Sequence, residues 1–461
     1  MLFNSYSFIF LFLPITLLVF FTFARQGLHK AGTASLVVAS LVFYAYWDIR
    51  YLPLLLLSMV FNYSMGSLLE KSRSKGLIFF AVTVDLGLLG YFKYMDFFLS
   101  SWNTAFHTAV PLPAIILPLG ISFFTFTQIA YLVDAYRGET KDYSFLNYSL
   151  FVTFFPHLIA GPILYHKDMI PQFKRAEHFV FSHQNLALGL TVFALGLFKK
   201  VVIADSLIPW VKPIFEQAGN VGFFEAWSGA LAYTLQLYFD FSGYSEMAIG
   251  LGILLNVRLP INFDSPYKSC SIIEFWRRWH MTLSAFLKSY LYIPLGGNRH
   301  GQGKKMRNLF LTMLLGGLWH GAGVTYVIWG GLHGLYLVIN HTWRRLGVKL
   351  PKGLAWALTF LAVVLAWVFF RAATVQDALV LVKTMLGFKG IHFAGLQQLV
   401  GGTTEALVIM GLILFVVIFP NVEEFVSRFR PNWQWAVLVS LIMVASLLQL
   451  TRVSEFLYFQ F

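Results

Sequence analysis

Basic and imidazole side chains gather in one stretch of an otherwise apolar chain, Glu274 to Gly334. Between Arg277 and Arg307 stand Arg277, Arg278, Lys288, Arg299, Lys304, Lys305 and Arg307, with no acid among them. Guanidinium forks and Lys ammonium groups bind phosphate, so Arg277, Arg278, Lys288 and Arg299 are candidate ligands for an anionic, phosphate-bearing donor. The same residues, with Trp276 and Trp279 between them, also suit an amphipathic helix lying at a membrane interface. His280 ends this run, and a helix there pairs Glu274 with Arg278 at i,i+4. The turn Pro294–Asn298 can add backbone N–H groups to the same patch, although a lone Gly-Gly is a weak signal.

His320 lies in LLGGLWHGAG, apolar on both sides. Gly316, Gly317, Gly321 and Gly323 let other backbones come close. As a neutral imidazole, His320 can take a proton from a hydroxyl or thiol as a general base. The bland reading of the same residue is a satisfied core histidine. His333, in WGGLHG, reads first as structural and second as a polar group lining a channel. Cys270 is the single cysteine and no HExxH spacing occurs, so a zinc site from His280, His320 and His333 is poorly supported and no metal is expected. No GxSxG elbow speaks for a serine hydrolase. No Walker A sequence speaks for ATP-driven transport.

The elements that must position these residues are membrane helices. The chain has 461 residues, 12% charged and 58% hydrophobic, against about 25% charged in a soluble domain. It reads as an integral membrane protein with one membrane-embedded domain, residues 1–461. The net charge of +13 is explained in part by positive-inside loops. No soluble basic domain exists to present a groove, so nucleic acid is not expected as a partner.

Spans of about 20 apolar residues are predicted at 6–24, 31–49, 51–70, 76–94 and 115–135. The first reads as a retained span, not a cleaved signal. Arg25 and Lys30, then Lys71, Arg73 and Lys75, then Arg137 and Lys141 follow alternate spans, which puts the N-terminus outside. Residues 146–165 contain Pro156, His157, Gly161 and Pro162, and Lys167, Lys174 and Arg175 follow on what should be the outer side. A re-entrant hairpin removes the conflict, because broken backbone is tolerated where protein or water covers it. Spans resume at 184–209 and 225–254, which leaves the basic stretch 277–307 cytoplasmic. The apolar region 308–342 and spans at 354–371, 404–420 and 433–450 complete a count of about 11. Charges inside these spans are Asp85, Lys199, Lys200, Asp205, Asp240 and Glu246. Each reads as a pair holding helices in register or as a functional group. Asp240, with Ser242, Tyr244 and Glu246, is also a candidate for lining a polar cavity. No internal repeat supports an inverted-repeat transporter.

Six pieces in order carry a resemblance: LPLGISFFTFTQIAYLVDAYRG (117–138), FFPHLIAGPI (154–163), LYFDFSGYSEMAIGLG (237–252), NFDSPYKSCSIIEFWRRWHMTLSAFLKSYLYIPLGGNR (262–299), GGLWHGAGVTYVIWGGLHG (316–334) and WVFFRA (367–372). Spread over 117–372, they resemble the membrane-bound O-acyltransferase (MBOAT) family, in its alginate O-acetylase branch. The resemblance implies an all-α bundle of roughly 11 transmembrane helices plus re-entrant segments, with cytoplasmic and outer funnels meeting at a thin centre. It implies acyl transfer from cytoplasmic acetyl-CoA, a substrate and not a tightly bound cofactor, across the bacterial inner membrane. It makes His320 the catalytic histidine and His280 the second family histidine, and it implies a periplasmic or membrane-anchored SGNH-type partner that completes transfer. The expected acceptor is an alginate-like exopolysaccharide, with peptidoglycan or cellulose as alternatives. A transporter or flippase without acyl chemistry is the rival from another class.

Overall fold

A computed structural model describes residues 1–140, 143–392, 399–451 and 457. Lys141, one of the charges used to orient the chain, lies outside them. Among the described residues every regular element is helical. Close contacts divide the chain into two compact units. The first holds Met1–Leu197, Tyr244–Ile261 and Phe429–Leu450; the second is built on Phe198–Gly243 and Asn262–Arg428.

The first unit contains α1 (Phe8–Arg25), α2 (His29–Ala45), α3 (Leu52–Ser72), α4 (Lys75–Phe106), α5 (Ile121–Arg137), α6 (Phe145–Thr153), α7 (His166–Phe173) and most of α8 (His183–Phe198). Punctuation follows local chemistry. Arg73 turns left-handed after α3, and the Ser74 hydroxyl accepts the Leu77 N–H at 3.3 Å to start α4. Gly138, at φ +76°, closes α5. The expected break in 146–165 is present: α6 stops at Thr153, ahead of Phe154 and Pro156, a single helical turn follows at Phe155–Leu158, and the chain then runs irregularly to α7. Phe3, Phe8, Phe43 and Phe155 form an aromatic core, with Phe3 and Phe8 5.0 Å apart and Phe43 and Phe155 5.7 Å apart.

Helix α9 (Phe223–Leu254) contributes its residues to Gly243 to the second unit and those from Tyr244 to the first. The second unit continues with α10 (Ile272–Arg278), α11 (Met281–Leu287), α12 (Gly301–His320), α13 (Val324–Arg345), α14 (Lys352–Arg371), α15 (Val375–Met385), α16 (Gly402–Ile418) and α17 (Val422–Arg428). Ser271 caps α10 by accepting the Glu274 N–H at 3.1 Å, and Glu274 reaches back to the Cys270 N–H at 2.9 Å. The region 308–342, read from sequence as one broken apolar stretch, is a helical hairpin: α12 ends on His320, and Gly321–Gly323 turns the chain into α13.

The expected count of about 11 spans is not confirmed. Among the described residues five helices are long and apolar enough to cross a membrane, or six if the pair α16 and α17, bent by 54°, is one span. The difference has identifiable causes. Helices α2 and α5 have 17 residues each, about 25 Å of helix against a hydrocarbon core of about 30 Å. Helix α9 is long enough, but Gln236, Asp240, Ser242 and Glu246 dilute its hydropathy.

Two of the charge clusters inside spans resolve as buried pairs. Asp85 accepts a hydrogen bond from the Asn62 amide at 2.9 Å. Lys200 sits 2.7 Å from Asp205 and 2.6 Å from Asp240, with all three side chains almost fully buried. These contacts join α3 to α4 and the helical continuation of α8, Lys199–Leu207, to α9, the register-holding role open to such charges from the sequence.

Candidate active site

His280 is placed by a junction that only local strain and two backbone bonds explain. Its φ of +42° is left-handed, unusual for a residue with a Cβ. The segment from Asn262 to Asp264 holds it there. The Met281 N–H donates to the Asn262 carbonyl at 3.0 Å, and the Asp264 N–H donates to the Arg278 carbonyl at 2.9 Å. Asn262 then sets the ring. Its Oδ1 accepts from the Thr282 N–H at 3.3 Å and the Thr282 hydroxyl at 2.9 Å, and lies 3.0 Å from His280 Nδ1. An oxygen already accepting an amide proton makes Nδ1 the donating nitrogen and leaves the lone pair of the neutral ring on Nε2.

His320 reaches the same place from α12. The ring centroids of His280 and His320 are 6.5 Å apart. Both side chains are nearly closed to solvent, 1% and 5% exposed. Aromatic faces enclose them: Trp329 lies 5.0 Å and Phe370 5.3 Å from His320, and Phe241 lies 4.8 Å from His280. Two imidazoles in a dry aromatic box suit proton transfer to and from a reacting hydroxyl or thiol, because little water competes for either nitrogen.

The crossing of α12 and α13 fixes the depth of His320. A Cβ on Gly317 would overlap the Tyr326 carbonyl oxygen and stand 2.9 Å from Gly330 Cα; one on Gly330 would overlap the Met313 carbonyl oxygen. Backbone therefore packs on backbone one turn before the histidine. Gly317→Ala is expected to destabilise the protein by about 1–3 kcal/mol, read as a lower midpoint of thermal unfolding in detergent. Gly331→Ala, whose Cβ would meet Leu314 at an ordinary 3.6 Å, should stay within about 0.5 kcal/mol of wild type. Equal midpoints for the two variants would refute the crossing.

Beside the pair, a cavity of about 500 Å³ is lined by Arg277, Lys288, Lys305 and His341 among apolar residues that include Trp276 and Met281. Met281 follows His280 in sequence, and the lining residues Thr312 and Met313 lie about two turns before His320. The lining residues 305, 309, 312 and 313 repeat along one face of α12, and 337 and 341 along one face of α13. That spacing was a sequence signal for Lys305 and His341 as site residues; the reading of the basic cluster by charge alone did not use it. Asn262, inside the motif 262–299, was also missed, because an isolated Asn has no periodicity to mark it.

The four expected donor ligands part company. Arg277 and Lys288 line the cavity together. Arg278 faces carboxylates, 3.1 Å from Glu274 and 3.4 Å from Asp264, and with Arg344 it borders a polar recess that shares Ile273 and Arg277 with the cavity. Arg299 lies on the exposed turn before α12, its N–H bonded to the Gly296 carbonyl at 3.1 Å. Asp240 is held by Lys200. Tyr244 belongs to the first unit, where its ring stacks on Phe3 at 4.7 Å. His333 is fully buried, and its Nδ1 accepts the Trp276 indole N–H at 3.2 Å. Trp329 lies between the two histidines, 4.9 Å from His333 and 5.0 Å from His320. His333 therefore backs the wall of the cavity through Trp276. Among the described residues no group of His, Cys, Asp and Glu is arranged to hold a metal ion.

Residues 16–375 match the sequence model of the membrane-bound O-acyltransferase family. The chain is 45% identical over 434 residues to a peptidoglycan O-acetyltransferase of Helicobacter pylori, covering 86% of this chain and 82% of that one. It is also 45% identical over 432 residues to a "Probable alginate O-acetylase" of Pseudomonas aeruginosa, covering 90% and 81%. A more distant similarity, 28% over 307 residues, reaches a teichoic acid D-alanyltransferase of Streptococcus thermophilus, covering 59% and 72%.

Proposed function

The chain belongs to the membrane-bound O-acyltransferase family and is an acyltransferase, and from that premise we propose that it draws an acetyl group from cytoplasmic acetyl-CoA for O-acetylation of a cell-envelope polysaccharide. The observation that carries this reading is the pairing of His280 with His320 at 6.5 Å beside a cavity bearing Arg277, Lys288 and Lys305. The three cations suit the phosphates of coenzyme A. The thioester end would lie toward the histidines. His320 takes the proton of the attacking hydroxyl as its oxygen bonds to the thioester carbonyl carbon. The C–S bond then breaks, and the leaving thiolate recovers a proton from the imidazolium. His280 orients the carbonyl or shares that proton.

In this proposal residues 277–307 face the cytoplasm, the N-terminus lies outside, and the membrane is the bacterial inner membrane. An SGNH-type partner on the far side receives the acetyl group and delivers it to the polymer. An alginate-like exopolysaccharide is the first acceptor to test. Peptidoglycan is the second, favoured by a relative of equal identity that carries that name; cellulose follows.

The test is thiol release from labelled acetyl-CoA by the reconstituted protein, with the partner and alginate or peptidoglycan oligomers supplied. Wild type should release thiol and label one polymer. Replacing Arg277, Lys288 and Lys305 together by Gln should raise the acetyl-CoA KM at least about tenfold, since charge-assisted bonds contribute about 1.5–3 kcal/mol each. A wild-type protein that moves a labelled solute or lipid but cleaves no thioester would reverse the reading in favour of a transporter.

A further inference from the structure

At one end of the first unit, away from every residue assigned above, two cavities adjoin. The larger, about 1110 Å³, runs along α1 and is walled by Pro14, Leu17, Leu18 and Phe21, with Arg25 at the helix end. The smaller, about 590 Å³, is polar and holds Arg175 and Arg258 beside Asn185 and Asn256. Val180 lines both, so one opens beside the other. Arg25, Arg175 and Arg258 are all exposed, and among the described residues none of the three forms an ion pair. Glu177 is the single acid in the two linings.

The polar cavity is a built structure. Asn256 sits at φ +57°, where its side chain ties two segments together. Its Nδ2 donates to the carbonyls of His178 at 3.2 Å and Val180 at 2.7 Å, and its Oδ1 accepts from the Asn185 amide at 2.7 Å. The Gln172 amide bonds the backbone of Arg258 in both directions, at 2.9 and 3.1 Å. These bonds hold Arg175 and Arg258 over one recess. His178, buried there, donates from Nδ1 to the Leu255 carbonyl at 2.9 Å, and burial pushes its pKa down to about 4, so the ring adds no charge.

We infer that these joined cavities bind an anionic glycerophospholipid, its phosphodiester on Arg175, Arg258 and Arg25 and its acyl chain along Leu17, Leu18 and Phe21. Helix α1 is long and apolar enough to cross a membrane, and Leu18 is 70% exposed on it. The groove is therefore bathed in hydrocarbon, where a water-soluble anion leaves the apolar wall uncovered. A lipid satisfies both halves at once: the chain covers the groove and the headgroup neutralises arginines that lack acidic partners. The arrangement also gives Arg175 and Arg258, far apart in sequence, one shared recess.

The test is native mass spectrometry of the full chain in detergent, titrated with phosphatidylglycerol, phosphatidylcholine or inorganic phosphate. Wild type should retain phosphatidylglycerol in preference to phosphatidylcholine. Changing Arg25, Arg175 and Arg258 together to Gln should weaken phosphatidylglycerol binding about a hundredfold, from about 1 kcal/mol per basic group. Leu18→Trp, which fills the groove and leaves every arginine in place, should also release it. Equal retention of the two lipids overturns the proposal, as does wild-type binding by the triple variant. Displacement by inorganic phosphate together with an unaffected Leu18→Trp variant would make the site an anion site instead. All four substituted side chains are exposed, and unfolding midpoints check that each variant is folded; Arg258→Gln alone, expected to weaken binding several-fold, serves if the triple variant is not.

Discussion

Replacing His320 with alanine is expected to lower acyl transfer by about 10²–10⁴-fold, the range that a positioned general base contributes. Its ring stands at the end of α12, 6.5 Å from His280, closed in by Trp319, Trp329 and Phe370. The loss should fall on kcat, with the acetyl-CoA KM little changed, because the cavity lined by Arg277, Lys288 and Lys305 does not include His320. His320→Gln keeps much of the volume and provides a folded control. A folded His320→Ala protein that restores full envelope O-acetylation to a deletion strain would remove His320 from the chemistry.

Asn262→Ala is the second large effect, expected at about 10²-fold in kcat, the scale of misplacing a reacting group by about 1 Å. Three donors converge on the Asn262 oxygen: the His280 ring, the Thr282 amide and the Thr282 hydroxyl. Removing it frees the His280 ring to turn and to exchange its tautomer, while Nε2 no longer holds a defined direction. Asn262→Asp retains the oxygen and should recover part of the rate. A purely structural Asn262 would lower the unfolding midpoint in both variants and leave kcat per folded molecule unchanged. Activity at the wild-type level in Asn262→Ala would show that the orientation of His280 is irrelevant to the rate.

Much of the fold was legible because helices are local. Apolar periodicity, the Ser74 cap, the Gly138 stop and the break at Phe154–Pro156 act within a turn or two of the chain, so residue order alone exposes them. The buried charges were legible as a choice between pair and site. Which of the two holds for Lys200, bonded to both Asp205 and Asp240, was decided by α9 passing beside it. Hydropathy windows do not register where a helix starts: the window 115–135 includes Pro118 and Gly120, whereas α5 begins only at Ile121.

By itself the sequence determined an all-helical membrane protein of the acyltransferase family and named His280 and His320. Those conclusions rest on composition, local periodicity and ordered motifs. Only the tertiary structure decided which charges share a site. Arg277 and Arg278 are neighbours in sequence, yet successive helical residues point about 100° apart. One therefore lines the cavity, and the other meets Asp264 and Glu274. The same holds for His280 and His320, forty residues apart in the chain. Their approach depends on Asn262 holding one ring and on two glycines letting α12 and α13 touch, contacts that no local pattern encodes.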